Sequence, residues 1–131
     1  GNTGRLGIEA EEWADLAWTS HSGASLTVGL DYLTRAPRRG MVACGAVGTL
    51  EWDEIGQVVT FSPAGQPASR SVSTQTRAEL FGSQTQAFVR AGEEKPDERL
   101  ATGQDGFLAL AVCDAAHVSA ASLRREAVQA R

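Results

Sequence analysis

Three arginines lie within five residues of one another in this 131-residue sequence. Arg35, Arg38 and Arg39 surround Pro37 a few residues after Tyr32, the only tyrosine. A loop with this much fixed positive charge can hold an anionic group of a substrate, but such loops are more often solvated connections between elements. The run therefore indicates a loop that could bind a substrate, and it does not identify a catalytic group.

The spacing patterns typical of catalysis are absent from the sequence. The glycine groups at 45–48 and 103–106 have neither dinucleotide-binding nor P-loop spacing, and no Gly-x-Ser-x-Gly run exists. His21 and His117 lack Cys or His neighbours at metal-ligand spacing, so we expect no zinc site. Spacing alone thus predicts no catalytic residue, no cofactor-binding residue and no metal ligand.

The two cysteines indicate the cellular compartment of the protein and do not indicate a reaction. Cys44 and Cys113 each lie in an apolar run, where a small buried thiol is the expected role. They do not make a disulfide framework, and the sequence has no segment of signal-peptide type. We therefore expect a cytoplasmic protein.

Composition and charge restrict the class of protein. Apolar residues make up 42% and charged residues 21% of the sequence, which is ordinary for a globular protein. The net charge of −4 argues against a nucleic-acid partner, because phosphate binding needs a basic surface. No stretch approaches the roughly 20 apolar residues of a membrane helix, so no membrane partner is expected.

The first half of the sequence has the alternation of β-strands. Residues 1–12 are glycine-rich and then acidic, which predicts a flexible entry segment ahead of one domain over residues 13–131. Alternating residues on both sides of a turn at 21–24 predict a hairpin. The predicted strands cover residues 13–19, 26–32, 41–44, 48–53, 57–62 and 69–73, and residues 124–129 could return as a short strand.

The second half of the sequence has helical periodicity. Thr76 and Glu79 have the spacing of a capping box, and Gly92 is a candidate left-handed stop for that helix. A second helix is predicted from about residue 102 to about residue 121. It is apolar on nearly all sides, which predicts burial on more than one side.

Strands followed by helices predict an α+β fold, a mostly antiparallel open sheet of five to seven strands with two helices packed on one face. The other sheet face then has no cover from this chain. An apolar face without a cover is a natural contact surface between two copies, so we expect a homodimer through the open sheet face.

Three segments carry a family resemblance. Residues 31–39 read DYLTRAPRR and residues 44–52 read CGAVGTLEW, and together they resemble a strand–loop–strand of the Gfo/Idh/MocA oxidoreductases. The acidic entry at 11–15 and the closing residues 87–88, 105–106 and 115–120 are similar to the start and the final helices of the same C-terminal domain. The similarity covers residues 5–129 in one order.

This resemblance implies the C-terminal, substrate-side domain of an oxidoreductase that uses NAD or NADP. The activity would be hydride transfer to or from a hydroxyl-bearing carbon of a sugar, a sugar derivative or a cyclitol. Its N-terminal Rossmann domain would lie outside this sequence, so the fragment is expected to bind no cofactor and to be inactive. Tyr32, Arg35 and Arg38 are the expected substrate-facing residues, because they lie at a strand end and in its following loop.

The family's catalytic lysine lies in a Glu-Lys-Pro motif, and residues 94–96 of this sequence have the same three residue types. In the family that motif follows a strand of the Rossmann domain, whereas here it follows a predicted helix end in a charged loop. Lys95 lacks a hydrophobic strand that would deliver and desolvate its amine. We therefore do not assign Lys95 a catalytic role.

Two other functions compete with this interpretation. The chain could be a free-standing dimerisation or small-ligand-binding module without redox activity. A small hydrolase using His21 or His117 is the remaining alternative, and nothing in the sequence places these histidines beside a nucleophile.

Overall fold

A computed structural model describes residues 1–93 and 97–129 of the chain. It divides the chain into two compact units, Gly1–Thr74 and Gln75–Arg131. The first unit contains six strands and the second contains two helices, which confirms the α+β class. The packing of the helices on a sheet face stays a prediction.

All six strands lie close to their predicted positions. They are β1 (Trp13–Thr19), β2 (Ser25–Asp31), β3 (Gly40–Gly45), β4 (Gly48–Asp53), β5 (Val58–Pro63) and β6 (Ser69–Val72). Every neighbouring pair is antiparallel, as predicted. The strands form two sheets: a β1–β2 hairpin and a four-stranded sheet in the order β3–β4–β5–β6.

The β1–β2 hairpin has one apolar face. Leu16 lies opposite Val28 and Trp18 lies opposite Leu26, so these side chains meet on the same side of the ribbon. Ala14, Leu16 and Trp18 are half-buried, whereas the residues between them are exposed. The half-buried positions of β1 therefore alternate along the strand and share one side of it.

The four-stranded sheet has two chemically different faces, because alternate residues point to opposite sides. Its apolar face carries Met41, Ala43, Leu50, Trp52, Val59 and Phe61 on the first three strands. Its mixed face carries Val42, Cys44, Thr49, Glu51, Asp53, Val58, Thr60, Ser62, Arg70 and Val72. Each sheet of the first unit therefore offers a single apolar side.

No apolar side chain among the described residues is buried. Trp52 and Phe61, in the centre of the apolar face, are each 37% exposed, and Met41 at its edge is 52% exposed. Large apolar side chains gain stability mainly by leaving water, so these faces are incompletely covered. The strands are set by backbone pairing and alternation without a closed core around them.

A two-residue turn joins β3 and β4, because Gly45 pairs with Gly48. Gly48 has φ of +151°, and a Cβ at this position would lie 2.4 Å from the carbonyl oxygen of Ser62 on β5. The β4 backbone can approach β5 this closely only because position 48 has no side chain.

The second unit consists of α1 (Arg77–Glu93) and α2 (Gly103–Ser122). The hydroxyl of Thr76 accepts a hydrogen bond from the amide of Glu79 at 3.3 Å, and the Glu79 carboxylate accepts one from the Thr76 amide at 2.8 Å. Thr102 and Asp105 make the same reciprocal pair at the start of α2. Both helix starts agree with the sequence prediction.

The ends of the second unit differ from the prediction in two places. Gly92 lies inside α1 and does not have a positive φ, so its assignment as the helix stop was wrong; glycine can also adopt right-handed helical dihedrals. Residues 125–129 do not form a strand. The second unit has no strand among its described residues to pair with them, and the Ser119 and Ser122 hydroxyls bond to Arg124 and Glu126 instead.

The helix α2 has no buried residue, contrary to the expectation from its apolar sides. Leu110 is 66% exposed, and Phe107 and Val118 are also exposed. Of its apolar positions only Ala111, Val112, Ala115 and Ala116 are half-buried. The second unit therefore leaves α2 without a cover on most of its sides.

We expect Gly48→Ala to destabilise the first unit by about 1–3 kcal/mol, because the new Cβ meets the Ser62 carbonyl and the φ is strained. Urea unfolding followed by tryptophan fluorescence measures the change. Gly45→Ala, on the other side of the same turn, is the matched control, since its Cβ would have no neighbour closer than 3.9 Å. Equal losses in both variants would contradict the close-approach explanation.

Thr102→Ala removes the hydroxyl that accepts from the Asp105 amide. We expect a loss of about 1 kcal/mol of stability in the second unit, as is typical for a lost helix cap. Circular dichroism at 222 nm during thermal unfolding measures this loss. Gln104→Ala changes a neighbouring exposed residue outside the cap and should have a much smaller effect.

Candidate functional site

The arginine loop begins at a turn that Asp31 builds at the end of β2. The Asp31 carboxylate accepts hydrogen bonds from the amides of Leu33 at 2.5 Å and Thr34 at 3.1 Å, and also from the Thr34 hydroxyl. These donors stabilise the ionised form, so the Thr34 hydroxyl and then the Leu33 amide lower the pKa of Asp31. This turn sets the direction in which the loop leaves the hairpin.

The other end of the loop is tied to the four-stranded sheet. The Arg39 guanidinium forms an ion pair with the Glu54 carboxylate at 2.7 Å, and the Glu54 amide donates to the Arg39 carbonyl at 2.9 Å. The next residue, Gly40, approaches the Trp52 carbonyl so closely that a Cβ there would lie 2.3 Å from the oxygen. The loop therefore enters β3 at a fixed place. Arg38 directly precedes Arg39, the residue that makes the ion pair.

A groove of about 640 Å³ lies where this loop meets the four-stranded sheet. Arg38 of the loop lines this groove together with residues of the mixed face. The mixed-face residues in the lining are Val42, Glu51, Asp53, Val58, Thr60 and Arg70. Four strands and the loop before β3 thus contribute to one concave surface.

Both signs of charge line this groove. Arg38 and Arg70 supply guanidinium groups, and Glu51 and Asp53 supply carboxylates. The Asp53 carboxylate accepts a hydrogen bond from the Gly56 amide at 2.9 Å, which leaves it capacity for further donors. Such a lining can bind a polar ligand through hydrogen bonds and ion pairs at several points.

The structure separates the three residues that the sequence suggested for substrate contact. Arg38 lines the groove, whereas Tyr32 and Arg35 are not part of its lining. Tyr32 is 75% exposed, and its amide donates to the Glu12 carbonyl at 2.9 Å. Contact of any of the three with a substrate stays a prediction.

Sequence reasoning missed Glu51, Asp53 and Arg70 as lining residues. The signal was present, because an alternating strand that places Leu50 and Trp52 on one side must place Glu51 and Asp53 on the other. The arrival of Arg70 on the same face depends on the register of β6, which the sequence did not define.

Sequence reasoning also missed Glu12, the one buried residue among those described. Its carboxylate accepts hydrogen bonds from the Thr3 amide at 2.6 Å, the Thr3 hydroxyl, and the Leu6 amide at 2.6 Å. The Thr3 hydroxyl and then the Leu6 amide lower the pKa of Glu12. Residues 1–12 contain no helix or strand, and Glu12 ties them to the start of β1; their flexibility stays a prediction.

Both cysteines are free thiols and both are exposed, so the expectation of buried thiols was wrong. Cys44 lies on the mixed face of the sheet, and Cys113 lies on α2, whose sides are uncovered. An apolar run in the sequence predicts burial only where another element covers it. Lys95, with its neighbours at 94 and 96, lies outside the described residues.

The described residues contain no group of three or more His, Cys, Asp and Glu side chains that could hold a metal ion. The groove lining provides guanidinium, carboxylate, hydroxyl and apolar groups. Its arrangement is suited to binding and positioning a ligand.

Comparisons with known proteins gave no match among family models, curated proteins or solved structures. Over residues 1–93 and 97–129, no helix is long and apolar enough to cross a membrane.

The lowered pKa of Asp31 makes the order of the arginine loop pH-dependent. The stabilisation should be complete above the ordinary Asp pKa of 3.8 and should be lost as the pH falls through the lower folded-state pKa. We expect Asp31→Asn to remove this dependence and to reduce amide protection at Leu33 and Thr34 already at pH 7. Hydrogen exchange followed by NMR measures both effects.

Asp15→Asn is the control for this experiment, because Asp15 is an exposed carboxylate on the neighbouring strand β1. Unchanged protection of Leu33 and Thr34 in Asp31→Asn would show that the carboxylate does not hold the turn.

Proposed function

We propose that this chain is the C-terminal substrate-side and dimerisation domain of a Gfo/Idh/MocA-like oxidoreductase that uses NAD or NADP. The substrate class is a sugar, a sugar derivative or a cyclitol whose hydroxyl carbon exchanges a hydride. The observation that carries this proposal is that the two resembling segments meet at one groove. Its lining includes Pro37, Arg38 and Arg39 from residues 31–39, and Glu51 and Trp52 from residues 44–52.

The cofactor belongs to a part of the parent protein outside this sequence. The groove has no glycine-rich loop before a helix N-terminus, which is the arrangement that holds a dinucleotide pyrophosphate. When bound to the parent, the nicotinamide supplies or accepts the hydride. This chain contributes walls, charge and hydrogen bonds, so by itself it is expected to be inactive.

Arg38 is the residue best placed to contact a substrate. It lies between the fixed Asp31 turn and the Arg39–Glu54 ion pair, and it faces the groove. A guanidinium donates several hydrogen bonds in a fixed plane, which suits paired hydroxyl or carboxylate oxygens. Tyr32 and Arg35 precede it in the same loop and would approach a substrate from the loop side.

The second part of the proposal is a homodimer through an open sheet face. It is supported by the exposure of Met41, Leu50, Trp52, Val59 and Phe61 on the apolar face of the four-stranded sheet, since an exposed apolar surface of this kind typically marks an interface. A cytoplasmic location is supported by the two free thiols, which are stable in a reducing compartment.

Calorimetric titration with NAD and NADP tests the redox part of this function. We expect no measurable binding by this chain, because it has no pyrophosphate site, and binding by a longer chain that includes the upstream residues. The longer chain should also reduce NAD or NADP in the presence of a polyol. Turnover of a polyol by this chain alone would overturn the proposal.

The alternative function is a small-ligand-binding module without redox activity. The groove favours it, because its guanidinium, carboxylate and hydroxyl groups can hold a polar ligand through several hydrogen bonds. A longer chain that fails to bind either cofactor, while this chain binds a polyol or a sugar acid, would support the module and contradict the oxidoreductase.

A further inference from the structure

The groove holds one negative and one positive side chain at a separation that the sheet defines. Glu51 on β4 and Arg70 on β6 both lie opposite Thr60 on β5, so the three residues form one row across the sheet. All three line the groove. With about 4.8 Å between neighbouring strands, the backbones of Glu51 and Arg70 are roughly 10 Å apart. The register of the strands therefore sets the distance between the two charges.

The two charges of this row do not neutralise each other. Among the described residues, no ion pair joins the Glu51 carboxylate to the Arg70 guanidinium. Both side chains are exposed, whereas Thr60 between them is half-buried. The space above Thr60 thus has a carboxylate on one side and a guanidinium on the other, and both are accessible to a ligand.

A second carboxylate adds to the negative charge on β4. Asp53 lies two residues beyond Glu51 on the same face, about 7 Å away along the strand. The two carboxylates repel each other, and a cation bound near them would offset that repulsion. The β4 side of the groove therefore favours a cationic group of a ligand and disfavours an anionic one.

The β6 side of the groove has the opposite preference. Arg70 is the only charged residue of β6, and a guanidinium can donate two parallel hydrogen bonds to one carboxylate. Val58, which is half-buried, lies in the next row on the same face and can contact the carbon atoms of a sugar ring. The row therefore offers a cation site, an anion site and a partly apolar floor between them.

We propose that the substrate of this groove is a sugar derivative with both a cationic amine and an anionic carboxylate, in which Glu51 binds the amine and Arg70 binds the carboxylate. The Thr60 hydroxyl can donate to or accept from a sugar hydroxyl between these two groups. This inference rests on the proposed function, and it narrows the substrate class to a sugar derivative that carries both charges.

The width of the row determines how far apart the two charges of the ligand lie. Side chains stand roughly upright on a sheet, and a charge-assisted hydrogen bond takes up about 2.8 Å at each end, which leaves roughly 4–5 Å between the two ligand groups. An amine and a carboxylate on opposite carbons of a six-membered sugar ring fit this separation. The amine and carboxylate of an α-amino acid share one carbon and lie too close together.

Arg38 lies at the other edge of the same sheet. It precedes β3, and β3 and β6 are the two edge strands of the four-stranded sheet. Because Arg70 binds the carboxylate, Arg38 remains available to the hydroxyl groups of the substrate at the loop end of the groove. The two arginines therefore contact different parts of the ligand.

Calorimetric titration of the full 131-residue chain with four sugars tests this inference. Glucosaminuronic acid carries the amine and the carboxylate on opposite ring carbons, glucosamine carries only the amine, glucuronate carries only the carboxylate, and glucose carries neither. We expect glucosaminuronic acid to bind at least about tenfold more tightly than each of the other three, because only this sugar forms both charge-assisted contacts. Binding of glucosaminuronic acid that is no tighter than that of the other sugars, or no measurable binding of any, would overturn the inference.

Two variants test which residue binds which group. Glu51→Gln should remove most of the preference for glucosaminuronic acid over glucuronate, and Arg70→Gln should remove most of its preference over glucosamine. Glu9→Gln and Arg90→Gln are exposed changes outside the groove and should leave both preferences intact. Circular dichroism checks that each variant is folded. Wild-type preferences in both groove variants would contradict the roles of Glu51 and Arg70.

Failure of this inference can be told apart from failure of the proposed function. If the chain prefers glucosaminuronic acid but the longer chain with the upstream residues reduces neither NAD nor NADP, the ligand class stands and the redox function is overturned. If the longer chain reduces either cofactor with a neutral polyol while this chain shows no preference among the four sugars, the redox function stands and the charged substrate is overturned.

Discussion

The alternation of side chains along the strands is the constraint on which the rest of this structure depends. In the four-stranded sheet it directs Leu50, Trp52 and Phe61 to one side and Glu51, Thr60 and Arg70 to the other. A shift of register by one residue would exchange the two faces. The apolar face and the groove lining on the opposite face both follow from this single register.

A second recurring interaction fixes the ends of the elements. Four carboxylates each accept hydrogen bonds from a threonine hydroxyl and from nearby backbone amides, and in each case the pKa of the acid is lowered. The pairs are Thr3 with Glu12, Thr34 with Asp31, Thr76 with Glu79 and Thr102 with Asp105. The same chemistry therefore begins both helices, ties residues 1–12 to β1 and orients the arginine loop.

The sequence predicted the parts of the fold that depend on local pattern. The hairpin of β1 and β2 follows from alternation and a turn, and the helix starts follow from threonine and acid spacing. The exposure of Cys44 and of α2 could not be predicted in this way, because burial depends on what covers an element. Arg38 could be proposed as a groove residue from the sequence, because it lies in a charged loop. The position of Arg70 on the mixed face depends on the register of β6, which the sequence does not define.

The central claim is that a second copy covers one face of the four-stranded sheet. Association that occurs only in the folded state stabilises that state by an amount that rises with the logarithm of protein concentration. Hydrogen exchange of the β5 amides, measured over a hundredfold range of concentration, tests the claim most directly. The claim predicts that protection of Val58–Pro63 rises with concentration. Protection that is the same at every concentration would contradict it.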